Sequence, residues 1–308
     1  MKCLVTGCAG FIGSTLTDSL LGEGHDVIGI DCLTDFYAPS IKMANISGAL
    51  RNPRFEFLQE DILSRTSFPE VDIVFHLAAQ AGVRTSWGSD FAQYSRNNIN
   101  VTQHLLEYYK KRSLKKFVYA SSSSVYGEVP LPMHEDLRPQ PVSPYGVTKL
   151  AGEHLCYLYW KNYDLPTISL RYFSVYGPRQ RPDMAIYKFV QAIWNNNPIS
   201  MYGDGSQTRD FTYVSDVIDA NQKAAVSDIE GSIINIGGGS RISVNDLISI
   251  IEEYSDRTAQ IRHIQSQSGD VSDTLAEISK AHQELHWIPV VTIRDGIRKY
   301  IRWYDNQS

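Results

Sequence analysis

The first half of the chain alternates short apolar runs with longer segments of helical periodicity. The apolar runs, each bounded by turn residues, fall at 2–6, 26–31, 55–59, 73–77 and 116–121. Such runs are typical of buried strands, and helical segments at 11–21 and 98–112 lie between them. The alternation predicts an α/β fold with a doubly wound parallel sheet, helices on both faces and ligands at the carboxyl ends of the strands.

The second half is less regular. A helix at 145–163 leads into a strand at 167–171, and a loop rich in Pro and Arg follows at 177–183. Further helices are predicted at 185–195, 214–225, 243–255 and 292–304. We expect a large domain at 1–170, to which some later segments return, and a smaller, partly interleaved domain at 171–308.

Composition excludes several classes of protein. The 308 residues are 43% hydrophobic and 20% charged, as in ordinary globular proteins. The net charge of −5 argues against a nucleic-acid partner. No run approaches the roughly 18 apolar residues of a membrane span, and the first residues predict a strand rather than a signal peptide, so we expect no membrane partner.

Cysteine usage indicates a reducing compartment. The four cysteines, at 3, 8, 32 and 156, form neither a disulfide framework nor a zinc-site spacing. His282 and His286 share a helical face, but no third ligand accompanies them, so no metal site is expected. We therefore expect a cytoplasmic protein.

A glycine-rich turn joins the first strand to the first helix. Gly7 permits a tight turn, Gly10 lets the backbone approach a pyrophosphate, and Gly13 allows close packing of helix and sheet. The helix start, with Phe11 and Ile12, offers N–H groups and a positive dipole end to phosphates. In this strand–turn–helix context the pattern predicts a Rossmann-type dinucleotide site.

An acidic residue at the end of the second strand indicates which dinucleotide binds. The carboxylate of Asp31 can accept hydrogen bonds from an adenosine ribose and would repel a 2′-phosphate, which favours NAD over NADP. Other residues are expected along the cofactor because they follow the third and fourth strands: Asp61, Ile62, Leu77, Ala78 and Ala79.

Two further motifs carry candidate chemistry. Tyr145 and Lys149 are four residues apart and share one helix face. An adjacent ammonium and a cationic nicotinamide would lower the pKa of the tyrosine, which is otherwise near 10. A run of serines at 121–124 leaves the fifth strand at its carboxyl end, on the ligand side of the sheet.

Together these motifs resemble the extended short-chain dehydrogenase/reductases of the nucleotide-sugar epimerase and dehydratase group, over essentially the whole chain. The matching segments are 6–13, 76–79, 98–102, 121–127, 143–149, 171–181 and 203–213. Within that group the chain is most similar to UDP-glucuronate 4-epimerases, notably at 83–88, 143–149 and 175–184.

The resemblance implies a role for each motif. Tyr145 would be the acid/base on the sugar 4-hydroxyl, and Ser122 would relay its proton. Lys149 would hold the nicotinamide ribose and depress the tyrosine pKa. The glycines and Asp31 would bind NAD, and Asn98 would support the central part of that cofactor.

The resemblance extends to the nucleotide sugar and to assembly. Arg209 would hold the diphosphate of a UDP-sugar, and Asp270 would reach the uridine ribose. Relatives commonly form homodimers through the two helices that correspond here to 98–112 and 145–163.

Three departures from the group narrow the reaction. Dehydratases carry an acidic pair where this chain has Ser123 and Ser124, decarboxylating relatives carry Glu at the second of these positions, and many relatives carry Asn at the position of Ser174. Together with Ser122, these hydroxyls could hold an anionic sugar through hydrogen bonds, whereas protein carboxylates would repel it.

Two arginines could add a positive partner for a sugar carboxylate. Arg84 and Arg181 stand in segments that match the group. Either arginine could instead bind the diphosphate or form a structural ion pair. For Arg84 this explanation is as good as binding of the sugar carboxylate.

The resulting expectation is NAD-dependent 4-epimerisation of a UDP-sugar. UDP-glucuronate to UDP-galacturonate is favoured, through a transient 4-keto sugar and without decarboxylation. The alternatives are a UDP-glucose or UDP-N-acetylglucosamine 4-epimerase and a UDP-glucuronate decarboxylase. A non-catalytic NAD-sensing protein is a fourth possibility, but such a protein would have no use for Tyr145 and Lys149.

Overall fold

The computed structural model describes residues 1–265 and 271–307. The strands, in chain order, are β1 Lys2–Thr6, β2 Asp26–Ile30, β3 Phe55–Leu58, β4 Ile73–His76, β5 Lys116–Ser122, β6 Thr167–Tyr172, β7 Ser174–Tyr176, β8 Ile199–Tyr202, β9 Thr208–Tyr213, β10 Ser232–Ile236, β11 Arg241–Ser243 and β12 Ile261–Ile264. The α-helices are α1 Phe11–Gly22, α2 Pro39–Ile46, α3 Phe91–Tyr94, α4 Val101–Tyr109, α5 Pro144–Tyr163, α6 Ala185–Trp194, α7 Val214–Val226, α8 Val244–Ser255, α9 Ser279–Leu285 and α10 Ile293–Asp305.

Seven parallel strands form the central sheet, in the order β10-β6-β5-β4-β1-β2-β3. The strand order reverses between β1 and β4, so the loops after these two strands diverge and leave a crevice at the carboxyl edge. This arrangement confirms the predicted Rossmann-type α/β fold.

Both faces of the sheet are buried, as the continuous apolar runs predicted. Cys3 and Val5 of β1 pack into one hydrophobic cluster, and the intervening Leu4 packs into a second cluster on the other face. Phe75 and Val74 of β4 divide between the two clusters in the same way. The alternation follows from the two-residue period of a strand, and it places helices on both sides of the sheet.

Two small sheets lie in the C-terminal part of the chain. One has the order β11-β9-β7, and the other pairs β12 with β8. Between β9 and β11 in the sequence, the chain returns to the central sheet as β10, which pairs in parallel with β6. The sequence pattern missed β7 to β12 because these strands are short and only partly buried, so they lack a clear alternation.

The helix predicted at 98–112 has different bounds in the structure. It starts at Phe91 as α3, passes through a π-helical segment at Ser95–Asn100 and continues as α4 to Tyr109. A π segment shifts the helical register by one residue, which a pattern of period 3.6 does not reveal.

Candidate active site

A cleft of about 1210 Å³ of space, open to solvent, lies at the carboxyl edge of the central sheet. It follows the crevice between the loops after β1 and β4. The predicted residues that line it are Gly7, Gly10, Phe11, Ile12, Gly13, Asp31, Asp61, Ile62, Leu77, Ala78, Ala79, Tyr145, Lys149 and Arg181. The fold therefore brings together cofactor and catalytic candidates that are far apart in sequence.

The turn before α1 has the geometry that a pyrophosphate requires. Gly7 has φ +71°, and the N–H of Gly10 donates to the carbonyl of Gly7 over 3.0 Å. A Cβ on Gly13 would lie 2.1 Å from that same carbonyl oxygen, so only glycine allows this close packing. The turn and the helix start at Phe11 fit the phosphates of a dinucleotide.

Asp31 stands at the end of β2 on the wall of the cleft. Its carboxylate accepts the backbone N–H of Leu33 over 2.8 Å and that of Ala9 over 3.1 Å. These two bonds orient the carboxylate at the place where a Rossmann fold receives a ribose. Asp31 therefore fits the diol of NAD.

The loop after β2 and the helix α2 that follows it contribute cleft residues that the sequence did not single out. Thr34, Phe36, Tyr37 and Lys42 all line the cleft. The Lys42 ammonium donates to the carbonyl and hydroxyl oxygens of Thr34, over 2.7 and 3.0 Å, and lies 4.7 Å from the Tyr37 ring centre. The one available signal was the position of this loop directly after the acidic residue that ends the second strand.

Tyr145 occupies the first turn of α5. The helix begins there because Pro144 suits the first helical position and the hydroxyl of Ser143 accepts the N–H of Gly146 over 3.1 Å. Ser122 lies close enough to the phenol to lower its pKa. The structure thus brings the two predicted proton-transfer residues together.

Burial dominates the electrostatics of Tyr145. It raises the pKa of the phenol, and the groups that oppose this rise are the guanidinium of Arg181 and the hydroxyl of Ser122. The predicted lowering of this pKa by Lys149 and a cationic nicotinamide concerns the NAD-bound enzyme and stays a prediction.

Lys149 is itself almost completely buried, at 4% exposure. Its ammonium donates to the carbonyl of Ala120 at the end of β5, over 2.8 Å. Burial lowers the pKa of Lys149 to about 8, because a low-dielectric site disfavours the charged form. The lysine lies in the cleft wall, where it can hold a ribose hydroxyl.

Asn98 lies behind the cleft wall, within the π-helical segment. Its side chain accepts the backbone N–H of Gln80 over 2.7 Å and donates to the Gln80 carbonyl and to Thr148. Asn98 thus fixes the loop after β4 against α5, while its neighbour Asn97 reaches the cleft itself. The predicted supporting role fits this position, but Asn97 was missed.

The four serines of the predicted hydroxyl cluster are only partly connected. Ser122 donates its hydroxyl to that of Ser124 over 3.1 Å and accepts the Ser124 backbone N–H over 3.1 Å. Ser123 and Ser174 are half-buried. In the described part of the chain, no side-chain hydrogen bond joins either of them to the other serines.

The predicted arginines lie in different surroundings. The Arg181 guanidinium lines the cleft and pairs with both carboxylate oxygens of Asp183, over 2.9 and 3.0 Å. Arg84 stacks on the ring of Tyr202, 3.9 Å from its centre, and so links the loop after β4 to β8.

Arg209 contacts the chain just after residues 266–270. It donates to the backbone carbonyls of Val271 and Ser272, over 2.6 and 2.7 Å. Asp270 lies outside the described residues. Diphosphate binding by Arg209 and ribose binding by Asp270 stay predictions.

In residues 1–265 and 271–307, no three His, Cys, Asp or Glu side chains are grouped as metal ligands. In the same part of the chain, no helix combines the length and the apolar character that crossing a membrane needs.

Comparison with known proteins agrees with this geometry. The model of the NAD dependent epimerase/dehydratase family matches residues 3–237. The chain belongs to this family. The NAD dependence of the family agrees with a cleft that is lined by the glycine turn and Asp31.

Similar proteins carry more specific names. A solved structure of UDP-glucuronic acid 4-epimerase from Bacillus cereus, in complex with UDP-glucuronic acid and NAD, is 46% identical, with 100% of both chains covered and a TM-score of 0.97. A UDP-glucuronate 4-epimerase from Thermodesulfobacterium geofontis is 41% identical, over 97% of this chain and 95% of that protein. An uncharacterised UDP-glucose epimerase from Bacillus subtilis is 44% identical, over 98% of both chains.

Proposed function

We propose that this member of the epimerase/dehydratase family is a UDP-glucuronate 4-epimerase that forms UDP-galacturonate without decarboxylation. The observation that carries the proposal is the pairing of a buried acid/base tyrosine with a cation and hydroxyls rather than with carboxylates. Tyr145 lies close to Ser122 and to Arg181, both of which lower its pKa, and positions 123 and 124 are serines. Such surroundings suit an anionic sugar.

The proposed chemistry starts with removal of a proton from the sugar. Tyr145 accepts the proton of the 4-hydroxyl, with Ser122 as the relay, and C4 becomes a ketone. When bound, NAD supplies the reversible oxidation of C4. Tyr145 then returns the proton after the sugar has presented its opposite face, so the product differs from the substrate only in the configuration at C4.

The cofactor's retention is assigned to the residues of the cleft. The glycine turn before α1 would hold the pyrophosphate, and Asp31 the adenosine ribose. Lys149 would donate to the nicotinamide ribose. Because the reaction has no net redox change, these residues must keep the cofactor bound through both half-reactions.

The ketone stage is hazardous for this substrate, because a 4-keto glucuronate is a β-keto acid that loses CO₂ readily. The sugar carboxylate would be kept charged and hydrogen-bonded by Ser122, Ser124 and Arg181. These contacts would oppose its loss as CO₂. Neither Ser123 nor Ser124 offers the acidic group that dehydrating or decarboxylating relatives carry in this stretch.

A UDP-glucose 4-epimerase is the second candidate, since the Bacillus subtilis relative has that name. One assay separates the candidates. The purified protein is incubated with UDP-glucuronate, UDP-glucose and UDP-N-acetylglucosamine, and the products are resolved by chromatography. UDP-galacturonate as the main product supports the proposal, whereas a UDP-pentose or turnover of the neutral sugars alone would overturn it.

We also propose that the chain forms a homodimer through two helical stretches. One runs through α3 and α4, at 91–109, and the other is α5. Large apolar side chains are exposed there: Phe91 is 39% exposed, Val147 46%, Tyr157 49% and Leu158 47%. Val147 and Leu158 are separated by about three helical turns on α5, so they lie on one face of it. Large apolar side chains exposed on one helix face are typical of a protein–protein interface.

The dimer proposal predicts that Leu158→Glu lowers the mass of the particle in solution to that of one chain. A charge in an apolar interface lacks a partner and disfavours association. Light scattering after size-exclusion chromatography measures the mass. Val226→Glu, at a position 67% exposed on α7, is the matched control and should stay dimeric; a wild-type monomer would refute the interface.

We place the protein in the cytoplasm. All four of its cysteines are free thiols in the structure, and three of them are buried. Free thiols suit a reducing compartment.

A further inference from the structure

A completely buried ion pair lies behind the cleft, between α5 and β6. The Arg171 guanidinium donates to both carboxylate oxygens of Glu153, with Nε–Oε1 2.8 Å and Nη2–Oε2 2.7 Å. The side chains are 2% and 1% exposed. Buried ion pairs are weak contributors to stability, because desolvation offsets their attraction. The pair's location indicates another role.

Glu153 also holds the end of β5. Its Oε1 accepts the hydroxyl of Ser121 over 2.5 Å. One turn earlier on the same helix, Lys149 donates to the carbonyl of Ala120. Two successive residues of β5 are therefore hydrogen-bonded to two side chains of α5. These bonds fix the position of the helix along the direction of the strand.

The proton relay depends on that alignment. Ser122 follows Ser121 directly on β5, whereas its partner Tyr145 stands at the start of α5. A displacement of helix along strand would separate the serine hydroxyl from the phenol. Misplacing catalytic groups by about 1 Å can cost on the order of 100-fold in rate.

We propose that Glu153 is a positioning residue: it sets the offset between α5 and β5 that aligns Ser122 with Tyr145, and Arg171 orients its carboxylate. The inference rests on the proposed function for the proton relay and for the identity of the sugar. The contacts of Glu153 with Ser121 and Arg171 are observed in the structure.

Glu153 has a second effect through its charge. The titratable or charged groups around Lys149 are His76 on β4, Tyr119 on β5, Tyr145, Glu153 and Cys156 on α5, and Arg171 behind Glu153 on β6. Burial lowers the pKa of His76 to about 3 and raises those of Tyr119 and Cys156, so all three are neutral near pH 7. Glu153 is then the negative charge that favours the Lys149 ammonium.

The test compares Glu153→Gln with the wild type. Glutamine keeps the shape but loses the charge, so kcat should fall about 100-fold while KM stays within about threefold. The alkaline limb of the kcat profile should move to lower pH, because Lys149 loses its stabilising carboxylate. Ser121→Ala breaks only the tie to β5 and should lower kcat by about tenfold.

Two further variants separate positioning from general stability. Ser169→Ala removes another buried strand serine, which bonds Cys156 rather than Glu153, and should leave kcat unchanged. The double variant E153Q/R171M leaves no unpaired buried charge and should fold even where Glu153→Gln does not. Its kcat should remain low. A wild-type kcat in the double variant or in Ser121→Ala would overturn the proposal.

A readout without substrate distinguishes this inference from the proposed function. The Lys149 pKa is followed by NMR of labelled lysine in the NAD-loaded protein, with and without Glu153→Gln or, should that variant not fold, E153Q/R171M. A wild-type protein inactive on all three UDP-sugars would refute the function alone. An unchanged Lys149 pKa would refute the role of Glu153, whatever the substrate.

Discussion

The side chain of Tyr145 lies in surroundings that disfavour the phenolate, the form that accepts a proton. Burial raises its pKa, and Arg181 and Ser122 oppose that rise. A base that must be ionised during turnover therefore depends on nearby positive charge. In the proposed reaction, Tyr145 therefore needs this positive charge in order to accept and return a proton.

We predict that Tyr145→Phe lowers kcat by about 1000-fold, because the proton acceptor is removed while the ring still packs. The protein should still bind NAD, which is measured from the cofactor retained after denaturation. Tyr159→Phe is the control: Tyr159 is a buried tyrosine of the same helix that contacts Glu107 outside the cleft. Turnover within tenfold of wild type would remove Tyr145 from the acid/base role.

Residues that belong to local motifs were predictable from the sequence. The glycine turn, Asp31, Tyr145 and Lys149 each stand at a spacing that a strand or a helix converts directly into position. Asn97 was missed because a π segment does not follow the period of 3.6 residues, and Lys42 was missed because α2 is too short to show a clear periodicity.

At the scale of elements, α5 carries most of the chemistry and is fixed by close contacts. A Cβ on Gly152 would lie 2.1 Å from the hydroxyl oxygen of Tyr119 on β5, and one on Gly146 would lie 2.4 Å from the carbonyl oxygen of Ser124. The helix can approach the strand and the serine loop only because both positions are glycine. These contacts hold Tyr145 close to Ser122.

Gly152→Ala should therefore push α5 away from β5. We expect a loss of about 1–3 kcal/mol in the free energy of unfolding, from overpacking, together with a lower kcat. Denaturant unfolding and steady-state kinetics measure the two effects. Gly22→Ala, in α1 with no neighbour within 4 Å, is the matched control and should be neutral or stabilising. Equal behaviour of the two variants would contradict the close-packing account.

Most elements of the first half followed from the sequence, except α2 and α3, whereas the pairing of the later strands did not. Periodicity located β1 to β6 and α5 because they are buried and regular. Periodicity could not show that β10 pairs with β6 in the central sheet while its neighbours in sequence form small sheets. Strand pairing is decided by tertiary contacts rather than by the local pattern.

At the scale of the whole molecule, Asp210 links the small sheet to the central one. Its carboxylate accepts the backbone N–H of Gly238, which follows β10, over 2.5 Å and that of Ala276 over 2.9 Å. Asp210 is completely buried, and burial raises its pKa from 3.8 to about 6 despite these hydrogen bonds.

This shift predicts a pH dependence of stability. Because the pKa is higher in the folded state than in the unfolded chain, the contribution of Asp210 is complete below about pH 4 and is lost as the pH rises through about 6. Asp210→Asn does not titrate there. The unfolding free energy of the wild type minus that of the variant should fall by about 3 kcal/mol between about pH 4 and about pH 7. A constant difference in denaturant titrations would contradict the raised pKa.

The return of β10 to the central sheet has a consequence for synthesis on the ribosome. The outer edge of β6 is covered by Ser232–Ile236, which emerge some 60 residues after β6 ends. Until then the nascent chain presents an unpaired strand edge, the kind of surface on which other chains aggregate. Once β10 is in place, the carboxylate of Glu135 accepts the N–H of Asn235, so the finished edge is partly capped.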